Sequence, residues 1–329
     1  MPLSSEIKRD DPDKIMNKKK LTIVKWICEI ILIIALSFMY YLNKSVETSK
    51  VLYIPSGSIT KIITHLHHKK VDVSPLDGYL LRLIGQPQQG WISINKHRLT
   101  HADFLYKLTT AKAAMKDITL IPGETTEIFL QDLAKEMKLS LNKLKNAYHH
   151  LTLLKEGAFV PETYKLPLGI TEYVAIKLLL DQSSLQMRRW ATKIFGLYNE
   201  RKWFHYVTMA SVIQKEAASI EEMPLIASVI QNRLHKGMRL QMDGTLNYGN
   251  YSHQRVTAER IRNDRSLYNT YKHKGLPPYP VCNVSFEAIK AAIFPAKTDY
   301  LYFVKAKNGK HKFSRNYSTH LRNIKHVTK

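Results

Sequence analysis

The longest hydrophobic run in the chain lies near its start, from Leu21 to Leu42, and only two charged residues, Lys25 and Glu29, interrupt it. At about 1.5 Å per residue, a helix of this length just spans a hydrocarbon core of roughly 30 Å. Lysines crowd its N-terminal side, so the positive-inside rule places residues 1–20 in the cytoplasm and the rest outside. A cleaved signal peptide is the alternative, but its hydrophobic region would be shorter and would end in small residues, whereas this one ends in FMYYL. We therefore expect a single-pass anchor in the inner (cytoplasmic) membrane, with the body of the protein on the periplasmic side.

Short helices and strands alternate in the next part of the chain. Residues 43–50 are polar and are interpreted as a linker. In SITKIITHLHH the apolar residues recur at helical spacing behind Ser58, a favourable N-cap. WISIN alternates as a strand does, and further helices and one more strand follow as far as Met137. This alternation predicts small α+β modules with a binding or spacing role, because no catalytic set of residues appears among them.

One carboxylate interrupts the hydrophobic face of a helix predicted from about Phe204 to just before Pro224. Glu216 shares that face with four apolar residues, Met209, Val212, Ile213 and Ile220. An ionised carboxyl group on an apolar face is costly, so its pKa should rise. Glu216 is therefore either a structural carboxylate whose hydrogen bonds are made within the protein, or a proton donor that its pocket keeps protonated.

The pattern changes after the next predicted helix, which closes at Gly237. MRLQM alternates apolar and polar residues and predicts a half-buried strand at 238–242, followed by a turn that begins at Asp243. The loop SLYNTYKHKGLPPYPV combines polar side chains, aromatic rings and rigid prolines, a composition that suits sugar recognition and also any exposed loop. Nearer the C-terminus, Asn308 and Gly309 predict a two-residue hairpin turn.

The charge of the chain bears on its partners. Its 329 residues carry a formal net charge of +23 at pH 7, and the basic residues are spread along the sequence. A body outside the cytoplasmic membrane does not meet the genome, so we expect no nucleic-acid partner. Anionic lipid headgroups or an acidic extracytoplasmic polymer fit the charge better, and an untargeted lysine bias explains it equally well. The two cysteines, Cys28 and Cys282, form no metal-ligand pair and the histidines of HLHH lack an acidic partner, so no metal or other cofactor is expected.

Four segments of the second half occur in a specific order, namely VTMASVIQKEAA, LIASVIQNRLHKGMRLQMDGTLNYG, YNTYKHKGLPPYPV and IKAAIFPAKTDYLYFV. Between Val207 and about Arg315 the chain thereby resembles the endolytic murein transglycosylases of the YceG-like family. GAFVPETY resembles the family's EG-x-F-x-P-x-T-Y stretch, and residues 51 to about 140 resemble, more loosely, the LysM-like module that precedes the catalytic part. The family commonly reads E-K-E-T where this chain has Gln214, Lys215, Glu216 and Ala217, so one glutamate is left in that motif.

The resemblance implies cleavage of the β-1,4 bond between N-acetylmuramic acid and N-acetylglucosamine in nascent peptidoglycan, with a 1,6-anhydro end as product. It implies Glu216 as the catalytic acid, and the apolar face fits this role because an ordinary glutamate pKa of about 4.3 is too low at neutral pH. The muramic acid 6-hydroxyl attacks its own anomeric carbon, so one residue can act first as acid and then as base. Asp243 is assigned to substrate positioning. The other residues expected in the binding cleft are Asn232, Gln241, Tyr248, Asn269, Tyr271, Gly275, Pro277 and Pro278.

Together these features predict an α+β protein with an N-terminal transmembrane helix, a small LysM-like α+β module and a mixed α+β catalytic domain. The expected boundaries are a cytoplasmic tail at 1–20, a transmembrane helix at 21–42, a linker at 43–50, the module at 51–145 and the catalytic domain at 146–329. The expected partners are peptidoglycan glycan strands, the membrane and peptidoglycan synthases, and cleavage would terminate strand elongation.

Three other functions remain open from the sequence. In a non-catalytic, membrane-anchored peptidoglycan-binding scaffold, Glu216 is structural. A membrane-tethered nucleic-acid binder would account for the charge. A two-carboxylate glycoside hydrolase would leave a reducing end instead of an anhydro end.

Overall fold

The N-terminal helix is long and hydrophobic enough to cross a membrane. The computed structural model describes residues 12–328, with side chains from residue 20 to residue 327, so most of the tail expected at 1–20 lies outside the described residues. Helix α1 runs from Pro12 to Asn43. Its Lys20–Asn43 part has a mean hydropathy of 2.2 and is not buried against the rest of the protein. A signal sequence shares these properties, so by its length and hydropathy this helix is either a membrane anchor or a signal sequence.

The chain divides into two compact units, the first ending at Ala114 and the second beginning at Met115. The sequence placed the corresponding boundary at 145/146. Residues 115–145 group with the second unit because strand β5 (Met115–Thr119) pairs antiparallel with β6 (Thr163–Pro167) across a long connection. The functional division into a module and a catalytic domain stays a prediction.

The first unit joins α1 to two small antiparallel sheets and three short helices. Strand β1 (Ser45–Glu47) pairs with β4 (Arg98–Thr100), and β2 (Val51–Ile54) pairs with β3 (Gly90–Ser93). The helices are α2 (Ile59–His68), α3 (Pro75–Ile84) and α4 (His101–Thr110). The helices and the strand predicted here are confirmed.

The segment interpreted as a linker instead contributes β1. The segment is mostly polar, but its residue Val46 is fully buried and belongs to the core of the first unit. The predicted N-cap is confirmed, since the side chain of Ser58 accepts a hydrogen bond from the backbone N–H of Lys61.

The second unit is mainly helical. After β5 come α5 (Thr126–Met137), α6 (Leu141–Leu151), β6, α7 (Glu172–Phe195), α8 (Glu200–Glu216), α9 (Met223–His235), α10 (Ala258–Asn263) and α11 (Phe286–Ile293). The hairpin of β7 (Tyr302–Lys305) and β8 (His311–Ser314) and the helix α12 (Tyr317–Thr328) close the chain. The mixed α+β class predicted from the sequence is confirmed.

Two hydrophobic clusters stabilise the second unit. One packs α5, α6 and the start of α7 against the β5–β6 pair and includes the rings of Phe129, Tyr148 and Phe159. The other packs α8, α9 and α11 together, with Trp203 fully buried among them. The second cluster holds the end of α8, where Glu216 lies.

Three predictions of local structure are wrong. Helix α8 ends at Glu216 rather than just before Pro224, so Ile220 is 59% exposed and does not share its face. Residues 238–242 of the described chain pair with no strand, although their alternate residues Leu240 and Met242 are buried. The β7–β8 turn differs as well. The backbone N–H of Ala306 donates to the carbonyl of Lys310, so the loop that this pair closes has three residues, 307–309, and not two.

Candidate active site

The last residue of α8, Glu216, points its carboxyl group at the start of the 3₁₀ helix Asp243–Leu246. Its Oε1 accepts a hydrogen bond of 2.7 Å from the backbone N–H of Gly244. Burial and, to a smaller extent, the charge of Asp243 raise the pKa of Glu216 to about 7, against the lowering effects of the Gly244 N–H and the charge of Arg233. At neutral pH this carboxyl group can therefore donate a proton and, once ionised, take one back.

Gly244 must be a glycine for this contact to form. A Cβ at this position would lie 2.6 Å from the Cβ of Lys215 and 2.9 Å from Oε1 of Glu216. Both distances are shorter than non-bonded atoms tolerate, so any side chain here would push the carboxyl group away. The Asp243-Gly244 pair predicted as a turn thus brings a backbone donor against the acid.

The last turn of α8 is fixed by the two residues that precede Glu216. Oε1 of Gln214 accepts hydrogen bonds from the backbone N–H and the hydroxyl of Ser285, at 3.2 and 2.8 Å. The ammonium group of Lys215 donates to Oγ of Ser252 at 2.9 Å. Gln214, one of the two residues that depart from the family motif, thereby connects α8 to the N-cap of α11.

Asp243 and Tyr271 form a second polar pair beside Glu216. The Tyr271 hydroxyl donates to Oδ1 of Asp243 at 2.7 Å. Burial and the Asp243 carboxylate raise the pKa of Tyr271 well above its ordinary value, and the charge of Glu216 contributes in the same direction. Asp243 is exposed and Tyr271 is half-buried, so both can contact a ligand. The structure thus brings together Glu216, Asp243 and Tyr271 of the residues singled out from the sequence.

Two residues expected to bind substrate instead support the surrounding backbone. Asn269 is fully buried, and its amide donates to the carbonyls of Ile261 and Asp264. The amide of Asn232 donates to the carbonyls of Thr298 and Tyr300, at 2.8 and 3.0 Å. Oδ1 of Asn269 also accepts the backbone N–H of Tyr271, so the polar atoms of Asn269 are used within the protein, whereas Asn232 is half-buried.

Four more of the expected cleft residues lie in two loop segments, around 241 and from 275 to 278. Gln241 is exposed and has a φ of 49°, and its backbone N–H donates to the carbonyl of Thr270. Gly275 has a φ of 90°, Pro277 is buried and Pro278 is exposed. These positions give the loop its shape, and only exposed atoms such as those of Pro278 are open to a ligand.

Tyr248 lies on a separate cleft of the same unit. Its ring stacks on that of Tyr268 with centroids 4.4 Å apart, and its hydroxyl donates to Oδ2 of Asp264 at 3.0 Å. Both rings line a cavity of about 210 Å³ that also includes Lys155 and Glu156. Stacked tyrosines on an open cleft offer apolar ring faces of the kind that sugars contact.

Glu156 is a second carboxyl group with a raised pKa, and the sequence reasoning did not single it out. Its Oε1 accepts hydrogen bonds from the backbone N–H and hydroxyl of Thr126 and from the backbone N–H of Gly157. Burial raises its pKa to about 7, against the lowering effect of these bonds. Its carboxyl group lies against the N-terminus of α5, where a carboxylate is favoured. The glutamate of the EG-x-F stretch was the available signal.

Its neighbour Gly157 is required by close packing. Gly157 has a φ of 76°, and a Cβ there would lie 2.8 Å from Cγ of Pro280. The Glu-Gly pair therefore fixes the junction between the start of α5 and the proline loop.

Arg233 is a further residue near the acid whose role the sequence did not reveal. It is buried on α9, and its guanidinium donates to the carbonyls of Leu301 and Leu240. Its charge lowers the pKa of Glu216, although burial has the larger, opposite effect. Within the described residues, no group of three His, Cys, Asp or Glu side chains is arranged to hold a metal ion.

The chain is similar to several known proteins. A model of the YceG-like family matches residues 52–326. The endolytic murein transglycosylase of Bacillus subtilis (strain 168) is 31% identical over 319 residues, and the match covers 86% of each chain. A protein of the same name from Streptococcus pneumoniae (strain D39) is 33% identical over 177 residues, which cover 51% of this chain and 31% of that protein.

A solved structure is also similar. A yceG-like protein from Listeria monocytogenes is 27% identical, with a TM-score of 0.55 and coverage of 85% of this chain and 99% of that chain. The family model and the Bacillus protein both match most of this chain, including the segments that surround Glu216. This chain belongs to the YceG-like family.

Proposed function

We propose that this protein is an endolytic lytic transglycosylase of peptidoglycan, with Glu216 as its catalytic acid and base. The observation that carries the proposal is a carboxyl group with a pKa of about 7, held by one backbone N–H at the end of α8. The names of the relatives support the reaction class. An acid with this pKa is partly protonated at neutral pH and can transfer a proton to a leaving oxygen.

In the proposed reaction, Glu216 protonates the glycosidic oxygen between N-acetylmuramic acid and N-acetylglucosamine. The C–O bond at the anomeric carbon breaks, and the ionised Glu216 then accepts the proton of the muramic acid 6-hydroxyl. That oxygen bonds to the anomeric carbon and gives the 1,6-anhydro end. No water is consumed, so the reaction needs no second carboxylate. The Gly244 N–H stabilises the carboxylate that forms between the two proton transfers.

Asp243 and Tyr271 are proposed to position the substrate beside Glu216. A hydrogen bond of 2.7 Å already orients the two side chains, and Asp243 is exposed. Gln241 and the loop with Gly275, Pro277 and Pro278 are proposed to extend the cleft beside Glu216, and Tyr248 is proposed to bind glycan in the separate cleft that it lines with Tyr268. Asn232 and Asn269 are proposed to shape the site indirectly, by fixing the backbone carbonyls to which their amide groups donate hydrogen bonds.

The location of the reaction is part of the same proposal. Helix α1 would be an uncleaved anchor in the cytoplasmic membrane with its N-terminus in the cytoplasm, and the rest of the chain would lie outside. The residues from 51 to 145 would form a LysM-like module and those from 146 to 329 the catalytic domain. Cleavage close to the membrane would end strand elongation, in company with peptidoglycan synthases.

A non-catalytic wall-binding scaffold is the alternative, and one substitution separates it from the enzyme. Glu216→Gln keeps the size of the side chain and an oxygen that can accept the Gly244 hydrogen bond, but it cannot transfer the proton. Purified wild type and variant would be incubated with uncrosslinked glycan strands, and binding and cleavage would be measured separately. The proposal expects binding by both proteins and cleavage by the wild type alone. Binding without cleavage by either protein would support the scaffold.

A further inference from the structure

Helix α3 presents a hydrophobic face to solvent. Leu83 is 85% exposed and Tyr79 is 62% exposed, and Leu76 and Ile84 are exposed beside them. Leu76, Tyr79 and Leu83 follow one another at spacings of three and four residues, so they lie on one side of the helix. The opposite side carries Leu81, which is fully buried in the core of the first unit. α3 thus carries apolar residues on both sides, one packed in the core and the other exposed to solvent.

The start of α3 is joined to the end of the proposed membrane span. The hydroxyl of Tyr41, in the last turn of α1, lies 2.8 Å from Oγ of Ser74 and donates to Oδ2 of Asp77 at 2.8 Å. Asp77 is fully buried and also contacts His101, whose ring lies 4.5 Å from that of Tyr41. This polar socket fixes the N-terminus of α3 at the level of the tyrosine.

That level is the boundary between lipid and water. Tyr40 and Tyr41 end the hydrophobic run, and tyrosines at such ends lie among the lipid headgroups. A helix of ten residues is about 15 Å long, so a helix fixed at one end near the surface can lie along it. An exposed apolar helix face on an otherwise soluble unit marks a surface that contacts an apolar partner or a membrane.

The charge of the first unit fits an anionic surface. Residues 43–114 contain ten Lys or Arg and four Asp or Glu. On α3 itself, Arg82 is exposed between the apolar positions, and its guanidinium lies 5.2 Å from the ring centre of Tyr79. Apolar insertion combined with basic flanking residues is the pattern of helices that lie in the membrane interface.

We propose that α3 is an interfacial helix that inserts Leu76, Tyr79 and Leu83 among the headgroups of an anionic phospholipid membrane. The helix and the Tyr41 socket then hold the first unit at a fixed height above the bilayer. The inference rests on the proposed membrane anchor, but it needs neither the proposed reaction nor any role for Glu216.

The test uses the full chain in nanodiscs that contain phosphatidylglycerol. Cys28 is replaced by serine, and Cys282 is buried and stays unlabelled in the folded protein. Single cysteines at Leu83→Cys, His67→Cys and Ile31→Cys carry an environment-sensitive fluorophore. His67 is the matched control, since it is exposed on α2, whose outer side is polar. Ile31 lies within the span and reports whether α1 is in the bilayer.

The inference expects spin-labelled lipid to quench the probe at position 83 at least about twice as strongly as the probe at position 67. If position 31 is quenched while positions 83 and 67 behave alike, α3 does not insert and the inference is overturned with the anchor intact. If position 31 is not quenched, the anchor proposal itself fails and the inference fails with it. Replacement of the phosphatidylglycerol by a neutral lipid should weaken the quenching at position 83.

Discussion

Oε1 of Glu216 accepts a hydrogen bond of 2.7 Å from the backbone N–H of Gly244, and this contact joins the end of α8 to the loop that carries Asp243. The donor partly offsets the effect of burial on the carboxyl group, so the pKa of Glu216 is raised only to about 7. The same contact also fixes the direction of the carboxyl group. One backbone amide therefore both orients this carboxyl group and limits the rise of its pKa.

The pH dependence of cleavage should follow Glu216. The acid must be protonated when the reaction begins, so kcat/KM should be constant at low pH and fall about tenfold per unit above a break near pH 7. A pH–rate profile on uncrosslinked strands would show this break. A break near pH 4.3, the ordinary glutamate value, would mean that the carboxyl group is not desolvated in solution.

Asp243 should control the position of that break. Its charge raises the pKa of Glu216, so Asp243→Asn should move the break to lower pH. Asparagine retains an oxygen that can accept the Tyr271 hydroxyl, which limits structural loss. An unchanged break would remove Asp243 from the electrostatics of the site. Products with a reducing end from the wild type, lost in Asp243→Asn, would give Asp243 a catalytic role.

Gly244→Ala should separate the acid from its donor. The new Cβ would lie 2.6 Å from the Cβ of Lys215, and the overlap should cost about 1–3 kcal/mol of the free energy of unfolding. Activity should fall by about tenfold or more because Glu216 is displaced. Thermal unfolding and kcat/KM measure the two effects.

Gly78→Ala is the matched control for this substitution. Gly78 lies within α3, and a Cβ there would meet its nearest neighbour, Cγ1 of Ile63, at 3.6 Å, an ordinary contact. Alanine in a helix should stabilise the protein by about 0.5–1 kcal/mol and leave activity unchanged. Equal losses in both variants would contradict the steric account of Gly244.

Glu156 should make stability depend on pH. Its pKa is raised to about 7 in the folded protein, from 4.5, so the folded state binds more protons between these values. The free energy of unfolding should therefore fall as pH rises from 4.5 to 7, by about 3 kcal/mol for this group. Glu156→Gln cannot ionise and should remove this part of the slope.

The measurement compares denaturant unfolding at pH 5 and pH 8. Both proteins should carry Glu216→Gln, so that the second raised carboxyl group makes no contribution. If the free energy of unfolding depends on pH equally with and without Glu156, the pKa of this carboxyl group is not raised in the folded protein.

The anchor should restrict where strands are cut. If α1 holds the body near the membrane, release of the body by a protease site placed after residue 43 should broaden the distribution of product lengths on strands synthesised at a membrane. The reason is that cleavage would no longer be confined to newly emerging glycan. Product lengths would be read by mass, with the uncut protein as control. An unchanged distribution would refute the confinement.

The apolar surroundings of Glu216 were largely predictable from the sequence. Helical spacing placed Met209, Val212 and Ile213 beside Glu216, and all three are buried. The end of α8 was not predictable in the same way. QKEAASIEE contains no glycine or proline to stop the helix, and Ala217 leaves the helical conformation with a ψ of 131°. Ile220 was therefore assigned wrongly to the same face.

Long-range contacts explain the other differences. The alternation at 238–242 correctly marked Leu240 and Met242 as buried, but these residues lack a strand partner, and Gln241 has a positive φ. The contact between Gly244 and Glu216 joins residues 28 positions apart, and no local pattern encodes it. Asn232 and Asn269 are polar residues of the kind that bind ligands. Only their hydrogen bonds show that their amide groups donate to backbone carbonyls.

The central claim is that Glu216 breaks the glycan without adding water. The most direct test is the mass of the products from uncrosslinked strands cleaved in water enriched in oxygen-18, with Glu216→Gln as the inactive control. The account predicts fragments that lack one water relative to hydrolysis products, carry no oxygen-18 and form only with the wild type. Fragments with a reducing end and one incorporated oxygen-18 would contradict it.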